Sequence, residues 1–151
     1  MKYEDVSWHS GGDFPREMPA EAAATHTGMF VAWALLSGLA GEIHLEDLEE
    51  DLSALKSRAI TPGAYFFQVC DGKFTDEDLN DEGNAFAESY FDPGKGKYLS
   101  DYGKVLGRDL PGLDHVEDTW ANYDRLAPIL ARRFNNWKAR RGWGFLGFFG
   151  N

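Results

Sequence analysis

From Ala20 onward the chain carries a helix with no polar side. Ala22, His26, Met29, Trp33 and Leu36 recur at helical spacing, and Phe30, Val31 and Leu35 make the other faces apolar too. A helix hydrophobic all round has to be enclosed. Its longest uninterrupted apolar run, Met29 to Leu36, is far shorter than the roughly 18 residues of a membrane span, so the enclosing material is the rest of the chain. Gly38 and Gly41 stop the helix. With 151 residues the chain suits one domain, 1–151, built around this central helix.

The remaining segments supply the enclosure. A second helix is expected from Leu45 to Arg58, burying Leu45, Leu48, Leu52 and Leu55. Thr61-Pro62 reads as a cap followed by proline at the first helical position, and Gly72 ends the short helix it opens. Thr75 with Asp78 resembles a capping box, and Gly83-Asn84 leads into helical residues 85–91. After the Asp92-Pro93-Gly94-Lys95-Gly96 turn, Tyr98, Leu99, Tyr102, Val105 and Leu106 predict a helix ending near Gly107.

The last helix has the strongest period: Val116, Trp120, Tyr123, Ala127, Leu130, Phe134 and Trp137 step by fours and threes, with a kink or break expected at Pro128. Residues 1–19 read as an ordered loop, and 142–151 as an irregular glycine- and aromatic-rich tail that folds back as a strap or docks on a second copy. No run alternates long enough to demand a sheet, so the fold class is mainly α, a compact single-domain helical bundle.

Charge narrows the partners. Residues 1–125 hold all 25 acids against ten cations, a net of −15, and residues 126–151 carry +5. Such a body repels phosphate backbones and opposes binding to anionic lipid, so no nucleic acid is expected, and no membrane span. Glu46, Asp47, Glu49 and Glu50 on the second helix, with Asp76, Glu77, Asp81 and Glu82 farther on, are the candidate surface for a basic protein partner. A lone Cys70 permits no intramolecular disulfide and no cysteine-based zinc site, and it reads as a buried, inert thiol. With no leader-like stretch after Met1, the expected location is the cytoplasm.

Catalytic signatures are sparse. Histidines 9, 26, 44 and 115 show neither HExxH nor His-x-His spacing. His115 with Glu117 and Asp118 offers an imidazole and two carboxylates within a turn, and His26 and His9 are its candidate partners in a small enzyme or ligand site. The structural alternative makes Asp114, Glu117 and Asp118 caps of the last helix and His26 a hydrogen-bonded core residue. The Asp71 to Asp78 stretch fails as a calcium loop, because Lys73 stands where an oxygen ligand is needed. No metal and no cofactor are expected.

Four motifs stand out: Trp8-His9-x-Gly11-Gly12-Asp13-Phe14-Pro15, Ala24-Thr25-His26-x-Gly28-Met29-Phe30-x-Ala32-Trp33, Lys73-Phe74-Thr75-x-Glu77-Asp78-Leu79-Asn80, and His115-Val116-Glu117-Asp118-Thr119-Trp120-x-Asn122-Tyr123. Together, over residues 3–137, they resemble a family of small bacterial single-domain proteins of unknown function. The resemblance implies a stand-alone bacterial protein. Its members are similar to small proteins encoded beside secreted antibacterial toxins, which implies an immunity role: an acidic inhibitor that occludes a basic toxin.

Overall fold

The computed structural model describes residues 1–8 and 18–148, with side chains through Arg141. Its helices are α1 (Thr25–Leu36), α2 (Glu49–Lys56), α3 (Pro62–Ala64), α4 (Asp81–Tyr90), α5 (Tyr98–Leu106) and α6 (Trp120–Phe148). Strands β1 (Lys2–Asp5) and β2 (Lys73–Thr75) form a small antiparallel sheet. The fold is mainly α, as expected.

Helix α1 is the central element. Every residue from Thr25 to Leu35 is buried, and Gly38 closes the helix in a left-handed conformation at φ 83°. Phe30 packs against the rings of Trp33, Phe74, Phe86, Tyr90, Phe91 and Tyr98 at centroid distances of 5.0 to 6.2 Å. Tilted and edge contacts of this kind add to the area each ring removes from water. Gly28 lets α3 approach: a Cβ there would lie 2.6 Å from the Pro62 carbonyl oxygen and 2.7 Å from the Gly63 Cα.

Helix α6 closes the opposite side. Tyr123, Leu126 and Leu130 are buried, and Phe134 meets Phe86 edge-on at 5.1 Å while Trp137 packs tilted against it at 5.4 Å. Arg133 donates two hydrogen bonds, at 2.8 and 3.0 Å, to the buried Asp101 of α5, and the Tyr90 hydroxyl donates a third at 2.6 Å. Desolvation pushes the Asp101 carboxyl up, but the bonds from Arg133 and Tyr90 outweigh it and hold the group below its ordinary value.

Three expectations change. Residues 2–5, expected to be loop, form β1; Glu4 faces Phe74 and Asp5 faces Lys73, with an irregularity between Lys2 and Glu4. A four-residue strand whose partner lies some seventy positions away leaves no local period to read. The last helix starts at Trp120, where Thr119 Oγ1 accepts from the Asn122 amide, and it runs unbroken past Pro128. Pro128 is exposed, so the Asp124 carbonyl that loses its amide donor can turn to water. The tail expected to be irregular is helical through Phe148, while residues 9–17 and 149–151, and the side chains on which tail docking would depend, lie outside the described ones.

Two outcomes follow for stability. Gly28→Ala wedges α1 from α3 and is expected to cost about 1–3 kcal/mol in urea unfolding. Because Asp101 binds its proton less readily folded than unfolded, its contribution is fully present above about pH 4 and is lost as pH falls through the folded value. Asp101→Asn should therefore be less stable than the parent at pH 7, with the gap narrowing at pH 3.

Candidate functional site

Two π-helical turns organise the face below α2. In the first, Ile43–Asp47, the Leu48 amide reaches back to the Ile43 carbonyl at 2.9 Å; in the second, Tyr65–Val69, the Cys70 amide reaches back to that of Tyr65 at 3.2 Å. The extra residue in the first turn shifts the helical register. Leu45, expected on the buried leucine stripe with Leu52 and Leu55, is 52% exposed, and His44 is turned inward with no exposed surface.

Buried His44 is held from both sides. Its Nδ1 lies 2.7 Å from the Tyr65 hydroxyl and its Nε2 lies 2.8 Å from Asp78 Oδ1. The other Asp78 oxygen accepts from the Thr75 amide at 2.9 Å, completing the capping box read from the sequence. Cys70 closes the group: its sulfur, an imidazole nitrogen of His44 and a carboxylate oxygen of Asp78 lie within 4.8 Å of one another. Burial first, and then the Asp78 charge, push the Cys70 thiol far above its usual range; burial does the same to the Tyr65 hydroxyl.

The neighbours of this cluster form an open groove of about 780 Å3. Ile43 and Leu45 flank His44, Glu77 and Leu79 flank Asp78, and all four line the groove. Its walls are tied by the bond from the Gly41 amide to the Asp78 carbonyl, at 2.9 Å, and by the Ala40 to Leu79 bridge. Glu42, Glu46, Asp47, Glu77 and Asp81 border it, and among the described residues no Lys or Arg does.

Four of the expected partner-binding acids thus converge: Glu46, Asp47, Glu77 and Asp81. Glu42 joins them, unanticipated. Asp76 instead meets the Met1 amino group at 3.0 Å, Glu82 lies 3.9 Å from Lys138, and Glu49 and Glu50 sit exposed in the first turn of α2.

The other candidate residues sit elsewhere. His26 is buried in α1, its ring edge-on to Tyr102 and its Nε2 3.9 Å from Glu4; its carbonyl accepts from the Tyr98 hydroxyl. His115 borders openings of about 510 and 290 Å3, each with Glu117, and His26 borders neither. Among the described residues, His115 Nδ1 is buried without a hydrogen-bond partner. Asp118 caps α3 rather than the last helix: it accepts from Thr61 Oγ1 at 2.5 Å and from the Gly63 and Ala64 amides at 2.8 and 3.1 Å. His9 lies outside the described residues.

His44 carries only a faint signal in the sequence. The signal lay in the leucine stripe, because stepping back four from Leu48 reaches His44, whereas stepping back three reaches Leu45. Asp78→Ala would leave a buried His44 nitrogen and the Thr75 amide without their acceptor. It is expected to cost about 2–4 kcal/mol in urea unfolding, against at most about 0.5 for Glu77→Ala beside it.

No helix among the described residues is long and apolar enough to cross a membrane. No curated protein and no solved structure matches the chain. One family model does, a domain of unknown function, DUF7832, over residues 2–116, so that the match ends within the fourth motif and before α6. The chain belongs to the DUF7832 family.

Proposed function

We propose that the chain is a binding protein whose acidic groove, between the Ile43–Asp47 turn and the start of α4, takes a basic segment of a partner protein. The observation that carries this reading is the convergence of five carboxylates, with no Lys or Arg among the described residues, on a groove that also presents Ile43 and Leu45, 36% and 52% exposed. Charge of one sign in a concave surface steers a cationic partner and raises its association rate roughly 10- to 1,000-fold at low salt. Apolar side chains inside the ring supply the anchor, since rim charge sets rate more than affinity. A rigid platform limits the entropy lost on binding, and the His44–Asp78 and Gly41–Asp78 bonds provide one beneath the groove.

The narrower form of this reading is an immunity-type inhibitor, acting in the cytoplasm, that occludes a secreted basic toxin. Its support is the likeness of the motifs to small proteins encoded beside such toxins, together with the sign of the groove. A small enzyme built on His9, His26 and His115 has less behind it. The Asp118 carboxylate is committed to three donors in a helix cap, and His26 and His115 share neither opening bordered by His115.

The test is affinity capture from the native cell with the parent chain and a Glu46→Lys, Asp81→Lys double variant. The expected result is a cationic protein retained by the parent, with association slowed at least tenfold by the variant and by raised salt. Capture indifferent to both changes would overturn the assignment of the groove.

A further inference from the structure

We propose that His44, Cys70 and Asp78 form a binding site for a single zinc-type divalent ion, with the Tyr65 hydroxyl orienting the imidazole from its other nitrogen. This goes beyond the binding of a protein partner and does not depend on it. A lone cysteine excludes a site made of thiolates, but a mixed sulfur, nitrogen and oxygen set needs only one, and here the three ligand atoms already lie within 4.8 Å. Around a tetrahedral zinc ion, with bonds of about 2.0–2.3 Å, ligand atoms sit about 3.3–3.8 Å apart. The site therefore needs small side-chain movements: contraction toward the sulfur, and opening of the 2.8 Å His44 to Asp78 contact by several tenths of an ångström.

The chemistry selects the ion. Thiolate with imidazole and carboxylate is a zinc-type donor set, whereas magnesium and calcium demand six or more oxygens. One thiolate and one carboxylate also cancel the charge of a divalent cation, so loading leaves no net charge in a pocket whose imidazole has no exposed surface. Tyr65 lies 2.7 Å from Nδ1, where an outer-shell partner of a metal-bound histidine stands: in the loaded form its oxygen accepts from Nδ1–H and leaves the Nε2 lone pair for the ion. On binding, the Cys70 sulfur gives its proton to solvent and the imidazole carries its hydrogen on Nδ1. Half-buried Cys70 and the 11% exposed Asp78 side chain offer the way in.

Both π turns serve this arrangement. One carries His44 inward, and the other spans from Tyr65 to the residue before Cys70, after which Asp71 adopts φ 56° and Gly72 φ 67°. Turns of this kind are rare and concentrate at functional sites.

The full-length chain, stripped with a chelator, is titrated with cobalt(II) as a spectroscopic stand-in and then with zinc. The expected result is one tightly bound ion per chain and a thiolate-to-cobalt charge-transfer band, which only Cys70 can supply. Cys70→Ala should remove the band and weaken zinc binding by at least ~100-fold, with unchanged far-ultraviolet circular dichroism. No stoichiometric binding, or cobalt bound without the charge-transfer band, would overturn the site. The band in the parent chain decides the matter even where the variant does not fold.

Discussion

A helix without a polar face leaves the rest of the chain little freedom. Every residue of α1 from Thr25 to Leu35 is buried, so each side must be met by another element, and each of those elements covers only a sector. The Phe30 aromatic cluster covers one sector and α3 another, across Gly28 at a distance no side chain would allow. Helix α6 takes a third through the Trp33 to Phe134 contact at 5.6 Å. With so much apolar surface gathered around one axis, the charged groups trapped nearby need partners within the protein, although the buried Thr27 and Tyr102 hydroxyls have none among the described residues.

That requirement explains the buried ionic groups. Asp101 is inside because Arg133 and Tyr90 meet both its oxygens, and this joins α5 and α4 to a helix that begins some twenty residues later. Asp118 plays a matching part at α3, where its carboxylate takes two backbone amides and a hydroxyl. Removing one side of either arrangement would strand the other, so their effect is to fix one relative placement of helices rather than to add attraction in bulk.

Local signals in the sequence describe local structure well. Thr61 with Pro62, Thr75 with Asp78 and Gly38 stand where capping chemistry puts them, because a cap acts over three or four residues. The acidic segments Glu46-Asp47 and Glu77 to Asp81 were likewise legible as charge, but their convergence on one groove depends on the Gly41 to Asp78 and Ala40 to Leu79 contacts, which no period records. The π turn at Ile43–Asp47 was illegible for the same reason. An extra residue in a turn is decided by what its side chains meet, and here the inward position goes to His44 because Tyr65 and Asp78 stand ready for both ring nitrogens, while Leu45 is released to the surface.

The exchange of Leu45 for His44 links the two halves of this face. Burying a leucine there would have gained roughly 1.5–3 kcal/mol of transfer energy. The fold instead exposes it beside a ring of carboxylates and encloses an imidazole that must be satisfied by hydrogen bonds. Such an inversion makes little sense for packing alone, since a stripe of four leucines was already available. It makes sense if both consequences are used: an apolar contact set among charges on the outside, and a nitrogen ligand held between a hydroxyl and a carboxylate on the inside. The same one-residue shift produces both, which is why the groove and the buried cluster share their walls.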